Sequence, residues 1–180
     1  MSSLNALSVS IAVLAFVATW LVLGPLAGFV VIWAVFIAWG GFFALGGDDK
    51  ALKNLIICGI FGVIMAWISA VVILAVPLAT VLGLPVWAGI VVGVAVLILC
   101  LAANTPLLAA IPATVFGYAS TFAYLLQTPD RLALDALTSF SASNPLLLIS
   151  LSLILGTLFG WASGKIPGMI PGMVASAGDA

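Results

Sequence analysis

Long apolar segments, separated by short groups of turn residues and charges, run along the whole chain. Residues 1–47, 54–129 and 136–164 contain no Asp, Glu, Lys, Arg or His. A helix of about 20 apolar residues is long enough to cross the hydrocarbon core of a bilayer. The pattern therefore predicts an all-α integral membrane protein.

Glycine, proline and charged residues divide the apolar sequence into six predicted transmembrane helices. Their expected bounds are 5–23, 27–45, 51–76, 86–103, 107–126 and 146–163. Helices of this length use most of the 180 residues. We therefore expect one membrane domain without a separate soluble domain.

The segment between the fifth and sixth predicted helices is too long for a minimal turn. Thr128-Pro129 is typical of a helix N-cap followed by proline in the first turn. One face of the helix that follows would carry Leu132, Ala133, Ala136, Leu137 and Phe140. We expect a short amphipathic helix on the outer surface. A lid over an entrance is the alternative interpretation.

After the sixth predicted helix, the sequence Ile-Pro-Gly-Met occurs twice, at 166–169 and 170–173. Prolines four residues apart interrupt a regular helix because each lacks a backbone N–H. The region 165–180 is therefore predicted to be an irregular C-terminal tail.

The few basic residues predict the orientation of the chain in the membrane. Lys50 and Lys53 follow the second helix and Lys165 follows the sixth, on one side, whereas Arg131 lies on the other side. Lysine and arginine are enriched in cytoplasmic loops, so both termini are expected in the cytoplasm. The net charge of −1 gives no reason to expect a nucleic-acid partner.

The residue types used for catalysis and metal binding are scarce. The chain has no histidine, and its carboxylates lie in predicted loops and in the tail. Both cysteines lie in apolar segments, where cysteine packs as a small hydrophobic residue. We therefore expect no metal, no cofactor and no enzymatic activity. The lack of ionisable residues inside the helices also argues against most coupled pumps.

The two halves of the sequence resemble each other. The pairs that match are Gly62/Gly156, Ala66/Gly160, Trp67/Trp161 and Ser69/Ser163 at a shift of 94 residues, and Trp39/Tyr118 and Phe43/Phe122 at a shift of 79. Two repeats of three helices are predicted, at about 5–78 and 86–164. Because three is an odd number, the second repeat would be inverted in the bilayer, as in many transporters.

Small residues at helical spacing predict close contacts between helices. The Gly89-x-x-x-Gly93 stripe on the fourth predicted helix is a possible contact face for a partner outside the chain. The predicted packing positions are Gly62, Ala66, Gly89, Gly93, Gly156, Gly160 and Gly164.

The fifth predicted helix is the most polar one. Thr114, Tyr118 and Thr121 form one stripe of hydroxyls, and Pro112 is expected to kink or interrupt the helix. These residues and the deep aromatic rings predict a filter for a neutral solute, with the candidate lining residues Trp33, Trp39, Phe43, Trp67, Pro112, Thr114, Tyr118, Thr121, Phe122 and Trp161. Alternatively, the threonines bond back to their own helix and the aromatic rings fill the bundle.

Three groups of residues carry a resemblance to a known family. The first is the stretch 33–70 with its Gly46-Gly47 turn. The second comprises Ile111-Pro112-Ala113-Thr114 and Ala119-Ser120-Thr121-Phe122-Ala123, and the third is Leu155-Gly156-Thr157-Leu158-Phe159-Gly160. Through them the chain resembles domain-of-unknown-function family 1097, small bacterial inner-membrane proteins, over most of its length except the tail. The resemblance implies a multi-span protein of the bacterial inner membrane and brings no substrate or catalytic residue.

The leading functional hypothesis is a channel or facilitator for a small uncharged solute. An ion-coupled or gated transporter is one alternative, and a non-transporting scaffold or partner subunit is the other. The expected partners are the lipid bilayer, the neutral solute and further copies of the same chain.

Overall fold

The computed structural model describes residues 2–170, and these residues are all-helical, with no β-strand among them. The elements in chain order are α1 (Ser3–Leu23), α2 (Ile32–Ala44), α3 (Asp49–Ala75), α4 (Ala79–Leu82), α5 (Leu84–Ala102), a 3₁₀ turn (Pro106–Leu108), α6 (Ile111–Gln127), α7 (Leu134–Thr138) and α8 (Pro145–Met169).

Four of these helices, α1, α3, α5 and α8, are long and apolar enough to cross a membrane. Their length and composition indicate a membrane protein. Helices α2 and α6 lie where two further spans were predicted, but they have only 13 and 17 residues.

Helix α2 begins five residues later than predicted. Gly28 in the preceding segment has a φ of +83°, a left-handed conformation that interrupts a right-handed helix. Residues 24–31 are therefore irregular, and helical geometry starts only at Ile32.

Helix α6 begins four residues later than predicted. Pro112 lies in its first turn, where a fixed φ and a missing N–H are tolerated, and proline disfavours helical geometry in the residue before it. The fifth predicted helix is therefore interrupted rather than kinked at Pro112, because this proline lies at the start of α6. Residues 103–110 contain only the 3₁₀ turn.

The helices pack as two pairs. Helix α3 makes its most extensive contacts with α6, and α2 with α8. We call these the α3–α6 pair and the α2–α8 pair. Helix α5 packs on α3, α1 packs on α8, and the two pairs meet mainly through α3 and α8. The largest cluster of buried apolar side chains includes Phe42, Leu55, Leu125 and Leu153, one from each helix of the two pairs.

Glycines bring the backbones within each pair into direct contact. A Cβ added at Gly62 would overlap the carbonyl oxygen of Thr114, and one added at Gly156 would overlap that of Val35. At Gly160 the added Cβ would lie 3.0 Å from Phe42. Helices that approach this closely gain extensive van der Waals contact.

The remaining predicted packing positions differ from one another. Ala66 is fully buried. A Cβ added at Gly89 or Gly93 would meet nothing within 4 Å, and one at Gly164 would meet only a Phe43 ring carbon at 3.9 Å. Gly89 and Gly93 contact no other helix of the described protomer, because α5 presents a different face, with Trp87, Ala95 and Leu99, to the rest of the protein. The predicted contact of this stripe with a partner stays a prediction.

The segment between α6 and α8 contains a shorter helix than predicted, and this helix is only partly on the surface. Only Leu134–Thr138 is helical, because Ala133 and Ser139 on either side of it are extended. Leu137 is fully buried in the main core, whereas Phe140 is 99% exposed. The predicted apolar face is thus divided between the protein interior and the surface.

Helix α8 continues to Met169, six residues beyond its predicted end, with Pro167 inside the helix. Proline at this position leaves the carbonyl of Ser163 without its intrahelical donor. The hydroxyl of Ser10 in α1 donates to this carbonyl at 3.0 Å. The first Ile-Pro-Gly-Met copy is therefore helical, and the predicted tail beyond Ile170 lies outside the described residues.

Candidate functional site

Trp39 is buried in the interface between α2 and α8. Its ring stacks between Phe36, with ring centroids 5.8 Å apart, and Phe159 at 5.5 Å. Its indole N–H donates to the Ser163 hydroxyl at 3.0 Å. The Ser163 hydroxyl in turn donates to the Gly160 carbonyl. The polar end of the ring is thus satisfied inside an apolar interface.

Tyr118 occupies a comparable position between α6 and α3. Its hydroxyl donates to Ser69 Oγ at 3.1 Å, and Ser69 donates to the carbonyl of Met65 in its own helix. The ring lies beside Phe122, with centroids 5.2 Å apart. Ser163 and Ser69 accept the hydrogen bonds of Trp39 and Tyr118. The two serines occupy equivalent positions of the sequence repeat, but their residue type did not identify them as partners of these rings.

The hydroxyl stripe on α6 is buried and mostly satisfied within its own helix. Thr114 and Thr121 are at most 1% exposed. The Thr114 hydroxyl donates to the carbonyl of Ala110 at 3.4 Å, and the Thr121 hydroxyl donates to the carbonyl of Gly117 at 2.9 Å. This arrangement matches the alternative interpretation, in which threonine bonds back to the preceding turn.

Ser120 is the exception on this helix. Its side chain is 1% exposed, and its hydroxyl has no hydrogen-bond partner among the described residues. A buried hydroxyl without a partner is unfavourable. The sequence did not distinguish Ser120, because a serine in an apolar helix usually bonds to its own backbone.

The other candidate lining residues lie in several different environments. Trp33, Phe43 and Phe122 are half-buried and pack against the main core. Pro112 is exposed on the outside of α6. Trp39 and Phe43 line an open apolar groove of 260 Å³, and Tyr118 and Phe122 line another of 540 Å³. The structure therefore divides the predicted filter between the two helix pairs.

The irregular segment 24–31 contacts α8 well inside the end of that helix. The backbone N–H of Val31 donates to Ser152 Oγ at 3.0 Å. Ser152 is seven residues after Pro145, the first residue of α8, which corresponds to about 10 Å along the helix axis. Non-helical backbone at membrane depth is tolerated where protein buries it or where it lines an aqueous cavity.

The irregular segment 103–110 makes the corresponding contact with α3. The thiol of Cys58 lies 3.5 Å from the carbonyl oxygen of Leu107. Cys58 is nine residues after Asp49, the first residue of α3, about 14 Å along the axis. Both short helices therefore begin beside the interior of a long helix.

Two further candidate residues, Trp67 and Trp161, lie towards the ends of the interface between α3 and α8. The indole N–H of Trp67 donates to the carbonyl of Leu137 at 2.9 Å. The indole N–H of Trp161 donates to Asp49 Oδ1 at 2.9 Å, and Lys165 Nζ lies 3.5 Å from the same oxygen. Trp161 therefore connects α8 to α3 directly. Trp67 connects α3 to α7, where the Leu137 carbonyl also accepts from Asn144 at the start of α8.

Comparison with protein families identifies a match over most of the chain. The family model described as Protein of unknown function (DUF1097) matches residues 8–168. No curated protein matches the chain. No solved structure matches it.

Proposed function

Since the chain belongs to the DUF1097 family of proteins of unknown function, we propose its function from the geometry. We propose that it is a gated facilitator for a small uncharged solute across the bacterial inner membrane. In this proposal six segments cross the membrane as two inverted three-helix repeats, and the structure represents a closed conformation.

The contacts of equivalent residues support the repeat. A shift of 79 residues relates α2 to α6, whose first residues are Ile32 and Ile111. A shift of 94 relates Gly62 to Gly156. The contact between Gly62 and Thr114 then has its equivalent in the contact between Gly156 and Val35.

The hydrogen bonds between helices follow the same two shifts. Trp39 donates to Ser163 at 3.0 Å, and its equivalent Tyr118 donates to Ser69 at 3.1 Å. Each bond joins a short helix to a long helix of the other half. A coincidence of residue types does not explain why both the contacts and the hydrogen bonds repeat.

The order of contacts between α3 and α8 supports the inversion. Asp49 lies beside Trp161, and Gly59 lies beside Leu153. Residue numbers therefore increase along α3 while they decrease along α8, so the two helices are antiparallel. Helices in equivalent positions of two repeats run in opposite directions when the repeats are inverted.

The observation that carries the proposal is the pair of irregular segments, 24–31 and 103–110. Each precedes the second helix of its repeat and contacts the interior of a long helix. Interrupted helices at corresponding positions of two repeats are the best structural indication of a transport site near the middle of a membrane. Ser120, further along α6, is a buried hydroxyl without a partner among the described residues, and it is a group that could bond an uncharged solute.

Close packing supports a gated protein over an open channel. A Cβ added at Gly59 would lie 3.4 Å from a Leu153 methyl group, at the contact between α3 and α8. Passage along this interface requires the two helix pairs to separate. The uncharged nature of the solute is supported by the sequence, which has no ionisable residue in 54–129 or 136–164.

The proposed orientation places both termini in the cytoplasm. The ion pair between Lys165 and Asp49 brings the end of α8 next to the start of α3, so Lys50 and Lys53 share this end. A larger number of basic residues marks the cytoplasmic end. Arg131 lies in the segment between α6 and α8, at the opposite end.

Stopped-flow swelling of proteoliposomes tests the proposal. Vesicles with correctly inserted protein should swell faster than protein-free vesicles in at least one of a panel of neutral solutes, such as polyols, amides and small alcohols. Imposed sodium and proton gradients should not change the rate, which distinguishes a facilitator from a coupled carrier. Equal rates with and without protein for every solute would contradict the proposal.

A second proposal concerns assembly with further copies of the chain. The Gly89-x-x-x-Gly93 stripe on α5 has open space at both glycines, which favours a helix contact outside the protomer. Gly93→Leu should reduce the molar mass measured by light scattering in mild detergent. A monomeric wild-type protein would contradict this assembly, and co-purification of a different chain in fixed ratio would instead favour the partner-subunit alternative.

A further inference from the structure

Polar contacts connect helices α3 and α8 near both ends of their interface, and the two groups of contacts differ in chemistry. We call Trp161, Asp49 and Lys165 the Asp49 latch. We call Trp67, Leu137 and Asn144 the Leu137 latch. Trp67 and Trp161 are equivalent under the shift of 94 residues, so each latch uses the same indole donor.

We propose that the Asp49 latch releases first and that the α3–α8 interface opens from this end. The inference rests on the proposed function for its purpose, since opening at one end is a step in solute passage. It concerns a movement that is measurable without any solute.

The Asp49 latch lies in water. The side chain of Asp49 is 74% exposed and that of Lys165 is 50% exposed. Lys165 Nζ also lies 5.8 Å from the centre of the Trp161 ring. Water competes for each of these groups, and exposed ion pairs add little to stability.

The Leu137 latch is held by protein groups on several sides. The carbonyl of Leu137 accepts hydrogen bonds from Trp67 and from Asn144 Nδ2, each at 2.9 Å. Asn144 is 6% exposed and caps α8 by accepting from the N–H of Leu146. The side chain of Leu137 is fully buried in the main core. Hydrogen bonds in such surroundings are stronger than those in water.

The contact between the latches, Gly59 with Leu153, provides the reporter position. Leu153 is 1% exposed, so a cysteine there reacts with a water-soluble reagent only when one end opens. The test uses Leu153→Cys with Cys58→Ala and Cys100→Ala, treated with a charged, membrane-impermeant methanethiosulfonate. Ser3→Cys, exposed at the start of α1, identifies independently which side of the vesicle carries the Asp49 end.

Reagent added from the Asp49 end should label the reporter faster than reagent added from the other end. Asp49→Ala should increase labelling from the Asp49 end by about twofold to fivefold, the range expected from losing an exposed pair and one hydrogen bond. Asp49→Asn keeps an acceptor for Trp161 and removes the ion pair. The labelling rate of this variant should therefore lie between those of the wild type and Asp49→Ala. Trp67→Phe is the matched control and should leave labelling from the Asp49 end unchanged.

Equal labelling from both ends, or faster labelling from the Leu137 end, would overturn the inference. If Leu153→Cys does not fold, Gly59→Cys with Cys58→Ala and Cys100→Ala provides a second reporter, because position 59 faces Leu153 across the α3–α8 interface. Faster labelling from the Asp49 end in a protein without solute flux would support the latch while contradicting the proposed function. Solute flux together with equal labelling from both ends would support the proposed function and contradict the latch.

Discussion

At the scale of single residues, serine connects the helices of this protein. Ser69 and Ser163 each donate to a carbonyl of their own helix and accept from an aromatic donor on the partner helix. A buried indole N–H or phenol hydroxyl requires an acceptor in an apolar interface. The serine hydroxyl provides one and remains satisfied itself.

Trp39→Phe and Ser163→Ala should each lower the free energy of unfolding by about 1 kcal/mol, the usual contribution of one interhelical hydrogen bond. The double variant should lose less than the sum, because both changes remove the same bond. Chemical denaturation in detergent measures these values. Trp20→Phe, at an indole 61% exposed, is the control and should leave the free energy of unfolding unchanged. Strict additivity of Trp39→Phe and Ser163→Ala would contradict a hydrogen bond between these two residues.

Ser120→Ala should separate transport from stability. The change removes a buried hydroxyl without a partner, so the protein should be as stable as the wild type or more stable. Solute flux or selectivity in proteoliposomes should change. Ser152→Ala is a contrasting variant, because it removes the acceptor for the Val31 N–H and should destabilise the fold. Unchanged flux in Ser120→Ala would exclude this hydroxyl from the pathway.

At the scale of elements, glycine determines which helix faces meet. Gly62 and Gly156 permit contact between backbones, whereas Gly89 lies on a face with open space. The same residue type therefore has different effects in different helices. Close packing replaces hydrophobic burial as the force between helices in lipid.

Gly62→Ala and Gly89→Ala should have opposite effects. The added methyl group at Gly62 overlaps the Thr114 carbonyl, so the free energy of unfolding should fall by about 1–3 kcal/mol. Within the protomer the methyl group at Gly89 meets nothing, so alanine should leave the stability of the protomer unchanged or raise it by up to about 1 kcal/mol. Denaturation of the two variants in the same detergent measures the difference. Equal effects would contradict the observed packing of α5.

Pro167 and Ser10 should be coupled. In the wild type, Ser10→Ala leaves the Ser163 carbonyl without a donor and should lower the free energy of unfolding by about 1 kcal/mol. In Pro167→Ala the restored N–H can bond this carbonyl, so the same Ser10 change should have a smaller effect. A double-mutant cycle measures the coupling. An identical effect in both backgrounds would contradict the explanation of the helical Pro167.

At the scale of the whole molecule, each helix pair combines the two halves of the chain. The α3–α6 pair and the α2–α8 pair are each held by glycine contacts and one aromatic–serine bond. The contact between the pairs runs through α3 and α8 and carries the two latches. Under the proposed function, movement of one pair against the other would be the least disruptive way for the protein to open.

A link between the pairs should block flux. Gly59→Cys with Leu153→Cys, in a chain without the native cysteines, places two thiols at the contact between α3 and α8. A short bifunctional thiol reagent that forms reducible disulfides should stop solute flux, and reductant should restore it. Each single-cysteine variant receives the same reagent as a control. Full flux in the linked protein would contradict separation of the pairs.

The amino-acid sequence alone determined the helical membrane architecture and the positions of the long helices, because the length of an apolar segment reports directly on what a bilayer requires. The tertiary structure decided which faces are buried. Gly62 and Gly89 are indistinguishable in sequence, and Leu137 and Phe140 were placed on one face, although their side chains lie inside and outside the protein. The physical reason is that lipid is as apolar as a protein core, so hydrophobic patterning identifies a membrane helix without showing which side of it contacts another helix.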